Sequence, residues 1–290
     1  MSSQLAAVPA ALGAAAANAT ASVLQRRAAR RSPPEQESRR NLITELIRRR
    51  VWLAGIGCLI AAFLLQAVAL YLGGLSLVQP LLTAELPFTL LLASRLSRTP
   101  LDRAGWHAIA ALTAGLALLL VGAAPSPGQR TPSTTMWVIA AASTGALAGA
   151  LTAIGHRRDG PPRGALLGTG SGVGFALTAA LMKDATQRAS HGFGALFGSW
   201  LLYAMAGAGV GSLLLLQYAL QSATLAVTQP ALTTSDPIAS TLLGVTMFGE
   251  RIRLGGWIVL EAAGIGLMLW GAMRLASNSA SSRQAGRTRL

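Results

Sequence analysis

Apolar residues gather into long blocks along this chain, separated by short polar or basic stretches. A helix needs about 20 mostly apolar residues to cross a hydrocarbon core of about 30 Å. Blocks of that length at 5–24, 51–73, 75–94, 106–124, 135–155, 164–182, 194–220, 223–248 and 254–274 predict an all-α, polytopic membrane bundle of nine spans. The first block is rich in Ala and contains Asn18 and Thr20. No basic run precedes it and nine Arg follow it in 25–50, so it reads as a span rather than a signal peptide.

Composition strengthens this reading. Of 290 residues, 52% are hydrophobic and 12% charged, and the mean hydropathy is +0.50. A soluble domain usually carries about 25% charged residues, so this chain could not cover a water-facing surface. The net charge of +14 invites a nucleic-acid reading, but the basic residues lie between the apolar blocks and not along one face. They act instead as topology signals. Segments 25–50, 95–105, 156–163 and the tail from Arg274 hold nine, three, three and four of them, nineteen in all. Nine threaded spans put these on one side and leave Arg130, Lys183, Arg188, Arg251 and Arg253 on the other. The first side is then cytoplasmic, with the N-terminus outside and the C-terminus inside a cell membrane. Each of the six Trp (52, 106, 137, 200, 257 and 270) falls near a span end, where such rings favour the headgroup level. Segment 25–50 mixes Arg with Glu35, Glu37 and Pro33-Pro34 and reads as a lipid-contacting cytoplasmic loop, helical again from 41. Residues 277–290 read as a disordered tail. The preference for Ala, Gly and Arg over Lys points to a GC-rich bacterial genome.

The two halves of the chain echo each other. Leu64-Leu65-Gln66 recurs as Leu215-Leu216-Gln217, Gln79-Pro80 as Gln229-Pro230, Thr83 as Thr233, Pro87 as Pro237 and Gly105 as Gly255. With a one-residue slip Gly115 and Gly122 match Gly264 and Gly271; more weakly, Gly13 matches Gly170 and Leu24 matches Leu181. The offset of about 150 residues spans five helices, an odd number, so matched helices cross in opposite directions. That is the inverted repeat of secondary transporters, whose solute site lies near the midplane at the repeat interface. It divides the chain into a first four-helix repeat (1–133), a spacer helix (134–156), a second, inverted repeat (157–276) and the tail.

Gln217-Tyr218-Ala219-Leu220, Val227-Thr228-Gln229-Pro230, Phe248-Gly249-Glu250 and the glycines 255, 264 and 271 together resemble the drug/metabolite transporter superfamily, in its EamA-like and NIPA-like branch. The resemblance implies carriage of a small metabolite, drug or cation. Nine spans depart from the family's common ten and look more like the NIPA-type arrangement. The first half also lacks the Gly-Glu ending and has Arg98-Thr99-Pro100.

Ionisable residues inside a span cost about 2.5–3.5 kcal/mol on insertion scales and usually face protein or a water-filled cavity. Glu85 and Asp236 lie roughly 15 and 20 Å along their spans at 1.5 Å per residue, near the midplane. Pro87 and Pro237 stand beside them, and Pro80 and Pro230 one turn or two earlier. Each proline frees the carbonyl four residues before it, here those of Thr83, Thr233, Ser76 and Ala226. Carboxylate, threonine hydroxyl and freed carbonyl together suit a hard cation or protonated amine. Either carboxylate could also carry a proton. Gln66, Gln217 and Tyr218 could line the path, though hydrogen bonding between helices is the commoner use. Glu261 lies about 10 Å inside the outer face and could equally pair with Arg251 or Arg253 or take a transport role, and Glu250 reads as a solvated or capping residue. Gly168, Gly170, Gly172 and Gly174 lack nucleotide-loop spacing and, like Gly207 and Gly211, read as helix-packing residues.

Cys58 is the only cysteine, the three His are scattered, and no Ser/His/Asp or Cys/His arrangement is visible. No cofactor, metal site or enzymatic activity is therefore expected. The expected function is secondary transport of a small molecule or ion, by a chain embedded in lipid that leaves room for a homodimer. A Mg²⁺-type divalent-cation carrier or channel and a non-transporting scaffold subunit stand as alternatives.

Overall fold

The computed structural model describes residues 2–30, 50–98, 100–190, 192, 194, 197–253 and 255–287. Among them the regular structure is helical: α1 (Ser2–Arg30), α2 (Arg50–Leu72), α3 (Leu75–Leu82), α4 (Glu85–Ser97), α5 (Arg103–Ala123), α6 (Thr134–His156), α7 (Pro161–Ala189), α8 (Trp200–Ser222), α9 (Leu225–Phe248) and α10 (Ile258–Arg287). Taking α3 and α4 together as one span, eight of the spans are long and apolar enough to cross a membrane. The expected eighth span, now α9, has 24 residues but is not among them, because Thr, Ser, Gln and Asp interrupt its apolar run. The architecture is compatible with a polytopic membrane bundle. Its outward surface agrees: Ile60, Phe63 and Leu64 on α2, Val138 and Ile139 on α6, and Val210 and Leu214 on α8 are all exposed. A soluble monomer rarely shows contiguous apolar surface of that kind.

Helix ends differ from the sequence reading in several places, and the first helix already runs past 24 to Arg30, through the start of the expected loop. The sixth span runs on past 182 to Ala189, which makes Lys183, Asp184 and Arg188 helical. The seventh starts at Trp200, where Ser199 Oγ accepts from Leu201 N, rather than at 194. The last runs from Ile258 to Arg287, in place of the 254–274 expected. The expected cytoplasmic loop with Glu35 and Glu37 lies almost wholly outside the described residues.

In the first half α1 lies against α2, α3 and α4; in the second α7 lies against α8 and α9; α5 pairs with α10, and α3 meets α9. The helices α2 and α8 begin and end 150 residues apart, at Arg50–Leu72 and Trp200–Ser222. Their burial repeats at the same offset: Ala62 and Ser212, and Ala69 and Ala219, are buried, while Ile60 and Val210, and Leu64 and Leu214, are exposed. Gly13 faces Leu65 as Gly170 faces Leu215. The register is thus 150, one residue off the Leu-Leu-Gln match, and Gln66 corresponds to Leu216 instead of Gln217.

Close contact between α5 and α10 is centred on glycine. A Cβ on Gly115 would stand 2.6 Å from the Gly264 carbonyl oxygen, and one on Gly264 2.6 Å from that of Gly115. Gly122 meets Leu260 and Glu261, whereas Gly271 meets Ala108, Ala111 and Leu112. Contacts that climb one helix while descending the other mean that α5 and α10 run antiparallel.

Candidate functional site

A cavity of about 260 Å³ lies between α3, α5, α9 and α10. Ser76 and Pro80 line it from α3, Leu119 and Ala123 from α5, Thr233, Thr234, Pro237, Ile238, Thr241 and Leu242 from α9, and Glu261, Ile265 and Met268 from α10. Ile238 and Leu242 are also exposed on the outer surface of the bundle. Its walls are therefore the third and eighth spans and the fourth and ninth.

Pro80, Thr233 and Pro237 are the expected residues that reach this cavity. The two expected carboxylates turn elsewhere. Glu85 Oε1 accepts from Ser22 Oγ of α1 at 3.3 Å. Asp236 Oδ1 accepts from Ser240 Oγ one turn on at 3.1 Å, and its backbone nitrogen packs against Gly172 of α7. Each therefore sits beneath the first helix of its own half. The reason is angular: residues 234, 237, 238 and 241 share one face of α9, and 232, 236 and 240 share another.

The expected freed carbonyl is also differently used. The third span breaks at Thr83–Ala84, where Thr83 N and Ala84 N bond to Pro80 and Leu81 three residues back. Pro87 does free Thr83 O from an ordinary helical bond, but Leu86 N takes it at 3.1 Å. Thr83 Oγ1 donates to Pro80 O at 2.6 Å and Thr233 Oγ1 to Gln229 O at 2.9 Å, so both hydroxyls donate to their own helices. Pro230 is buried within α9. Gln66 is half-buried on α2; Gln217 and Tyr218 are exposed on α8, whose inward face is Leu201, Met205, Ser212 and Ala219. None of these three lines the cavity. Among the glycines, 168 and 172 pack on α9 and 170 and 174 on α8, as expected of packing residues, whereas a Cβ on Gly207 or Gly211 would meet nothing.

A second cluster escaped the sequence reading. Glu250, expected at a solvated or capping position, is 2% exposed. Its Oε1 accepts from Leu75 N (2.7 Å) and Lys183 Nζ (3.0 Å), and its Oε2 from Ser76 N (2.9 Å) and Ser76 Oγ (2.6 Å). The carboxylate thus caps α3 from a distant segment, where a negative group meets the positive helix end. Two glycines permit this. Gly249, at φ +69°, ends α9 in the left-handed region and turns the chain back. At Gly74 a Cβ would stand 2.8 Å from the Glu250 carboxylate.

Lys183, placed by the loop count among the exposed basic residues, is 2% exposed and also donates to Gly73 O at 2.9 Å. Its ammonium lies 5.1 Å from the Phe248 ring centre. Beside it Asp184 accepts from Trp137 Nε1 at 3.0 Å, and Trp137 meets Trp200 and Phe248 edge-to-face. Trp137 is buried, so it is not an interfacial ring. The cluster bolts the α2–α3 link to α7 and to the end of α9. Neighbouring segments tie the same end of the bundle: Ser126 and Arg251 exchange backbone bonds, and Arg130 N donates to Phe248 O. The signals in the sequence were slight: the chain's single Lys, and the pairs Gly73-Gly74 and Gly249-Glu250.

Comparison with known proteins adds one relative. The chain is 28% identical over 290 residues, the full length of both, to an uncharacterized protein of Corynebacterium glutamicum. No family model and no solved structure matches it.

Proposed function

We propose that the protein is a secondary transporter that carries a small solute across the cell membrane by alternating access. One observation carries this reading: the cavity is walled by α3, α5, α9 and α10, of which α5 and α10 run antiparallel, as an inverted repeat would require. Inverted halves meeting around a solute site are what such transporters share. The chain's likeness to drug/metabolite transporters supports the same reading. By the distribution of Arg, the bolted end faces outward and the N-terminus lies outside, with the C-terminus in the cytoplasm. Glu250 has no counterpart in the first half, where Pro100 stands, so the two ends differ.

Glu85 and Asp236 serve as coupling sites in this mechanism. Each lies within a span under the first helix of its half and keeps one hydroxyl partner among the described residues. A carboxylate oxygen left over at such a place can take up a proton or a monovalent ion in one state and release it in the other.

The test starts with the purified full-length protein and a thermal-shift panel of organic amines, amino acids and divalent cations. The reading expects one class to raise the unfolding temperature and to show counterflow in reconstituted vesicles. A panel without stabilisation or counterflow would instead make the protein a non-transporting membrane subunit.

A further inference from the structure

The carboxylate that faces the cavity is Glu261, for which the sequence left a pairing role and a transport role equally open. Neither proposed partner takes it. Arg253 stacks over Trp257, with its guanidinium 5.0 Å from the ring centre, and Arg251 side-chain pairing to Glu261 is absent among the described residues. Glu261 is partly buried; its Oε1 is enclosed and has no hydrogen-bond partner among the described residues. Its Cγ lies in the close contact of α10 with Gly122, which holds the side chain against the cavity wall. A cationic guest in the cavity would give that oxygen the partner it lacks.

The rest of the lining narrows the guest. Among the described residues no Lys, Arg or His lines the cavity to balance an anion. A divalent metal ion wants six or more oxygen ligands, usually with several carboxylates among them. This wall offers a single carboxylate against a double charge. The remainder is Leu, Ile, Met, Pro and Ala with one serine and three threonines. An apolar cavity of about 150 Å³ accepts benzene. At about 260 Å³ this one has room for a ring or short branched body and a small charged group. Ile238 and Leu242 line the cavity and are 43% and 61% exposed on the bundle's surface, so its side door opens toward acyl chains.

We propose that this cavity binds an organic monocation with a compact apolar body, its charge held by Glu261 and its body admitted from the bilayer past Ile238 and Leu242. The proposal rests on the cavity being the transporter's solute site, and it names the class of solute.

Benzyltrimethylammonium is a probe of this size, and neopentylbenzene is its uncharged carbon counterpart. Binding of both to the full-length protein in lipid nanodiscs would be measured by calorimetry, for the wild type, Glu261→Gln and Glu261→Asp. The expected result is saturable binding of the cation by the wild type and a loss of about tenfold or more, equivalent to about 1.4 kcal/mol, in Glu261→Gln. Glu261→Asp should keep part of the affinity, neopentylbenzene should not distinguish the variants, and excess Mg²⁺ should not displace the cation. Equal affinity in the wild type and Glu261→Gln, no binding of the cation at all, or displacement by Mg²⁺ would overturn it. Counterflow of another solute with no Glu261-dependent cation binding would sink only this assignment. Glu261-dependent binding without counterflow of any solute would leave the site standing and remove the transport reading.

Discussion

Glu250→Ala should lower stability by about 3–5 kcal/mol, the usual result of removing one partner from a buried ion pair. The substitution strips the acceptor from four donors at once: Leu75 N, Ser76 N, Ser76 Oγ and Lys183 Nζ. Lys183 would retain Gly73 O and the face of Phe248, too little for an ammonium 2% exposed. The helix α3 would also lose its cap. Thermal unfolding of purified protein in detergent reads the effect. Lys183→Met combined with Glu250→Gln should unfold at a higher temperature than Glu250→Ala, because it removes both charges and leaves an amide near the cap. If Glu250→Ala melts like the wild type, the bolt does not hold the two halves together.

The second large effect falls on flux. Glu85→Gln and Asp236→Asn should each reduce transport in reconstituted vesicles to the level of empty vesicles while the protein still elutes as one folded species. Both replacements keep an oxygen for the hydroxyl of Ser22 or Ser240, so local packing survives. What disappears is the capacity to change charge between states. Since neither residue lines the cavity, binding of the solute at equilibrium should change much less than its movement. Wild-type flux in both variants would strip these carboxylates of a coupling role.

The spans were legible because a helix that crosses lipid must be apolar around its whole circumference, and Leu, Ala and Val runs show this directly. The sequence also suggests a repeat, through Gln-Pro and the spaced threonines and prolines. Its register in α2 and α8 was not legible. An Ala/Leu-rich stretch carries little positional information, and the Leu-Leu-Gln echo pointed one residue away from the register that burial shows. Candidate chemistry was only half readable. Depth along a span located Glu85 and Asp236, but depth says nothing about azimuth, and one residue of rotation, about 100°, turns Asp236 away from the cavity that Pro237 lines. Glu261 and Glu250 were undervalued for the opposite reason: both stand near helix ends, where a charge usually meets water. Only the tertiary arrangement shows that Glu250 reaches back across the bundle to α3, and that Lys183 continues a helix rather than starting a loop.

Residues 103 and 253 occupy equivalent places, each two positions before a matched glycine, and both side chains are exposed. With Cys58 replaced by Ser, Arg103→Cys and Arg253→Cys would be probed in intact cells with a membrane-impermeant maleimide. Oppositely threaded halves require the thiol at 253 to react from outside and the one at 103 only after permeabilisation. Reaction of both from the same side would contradict that threading, and with it the central cavity as a transport site.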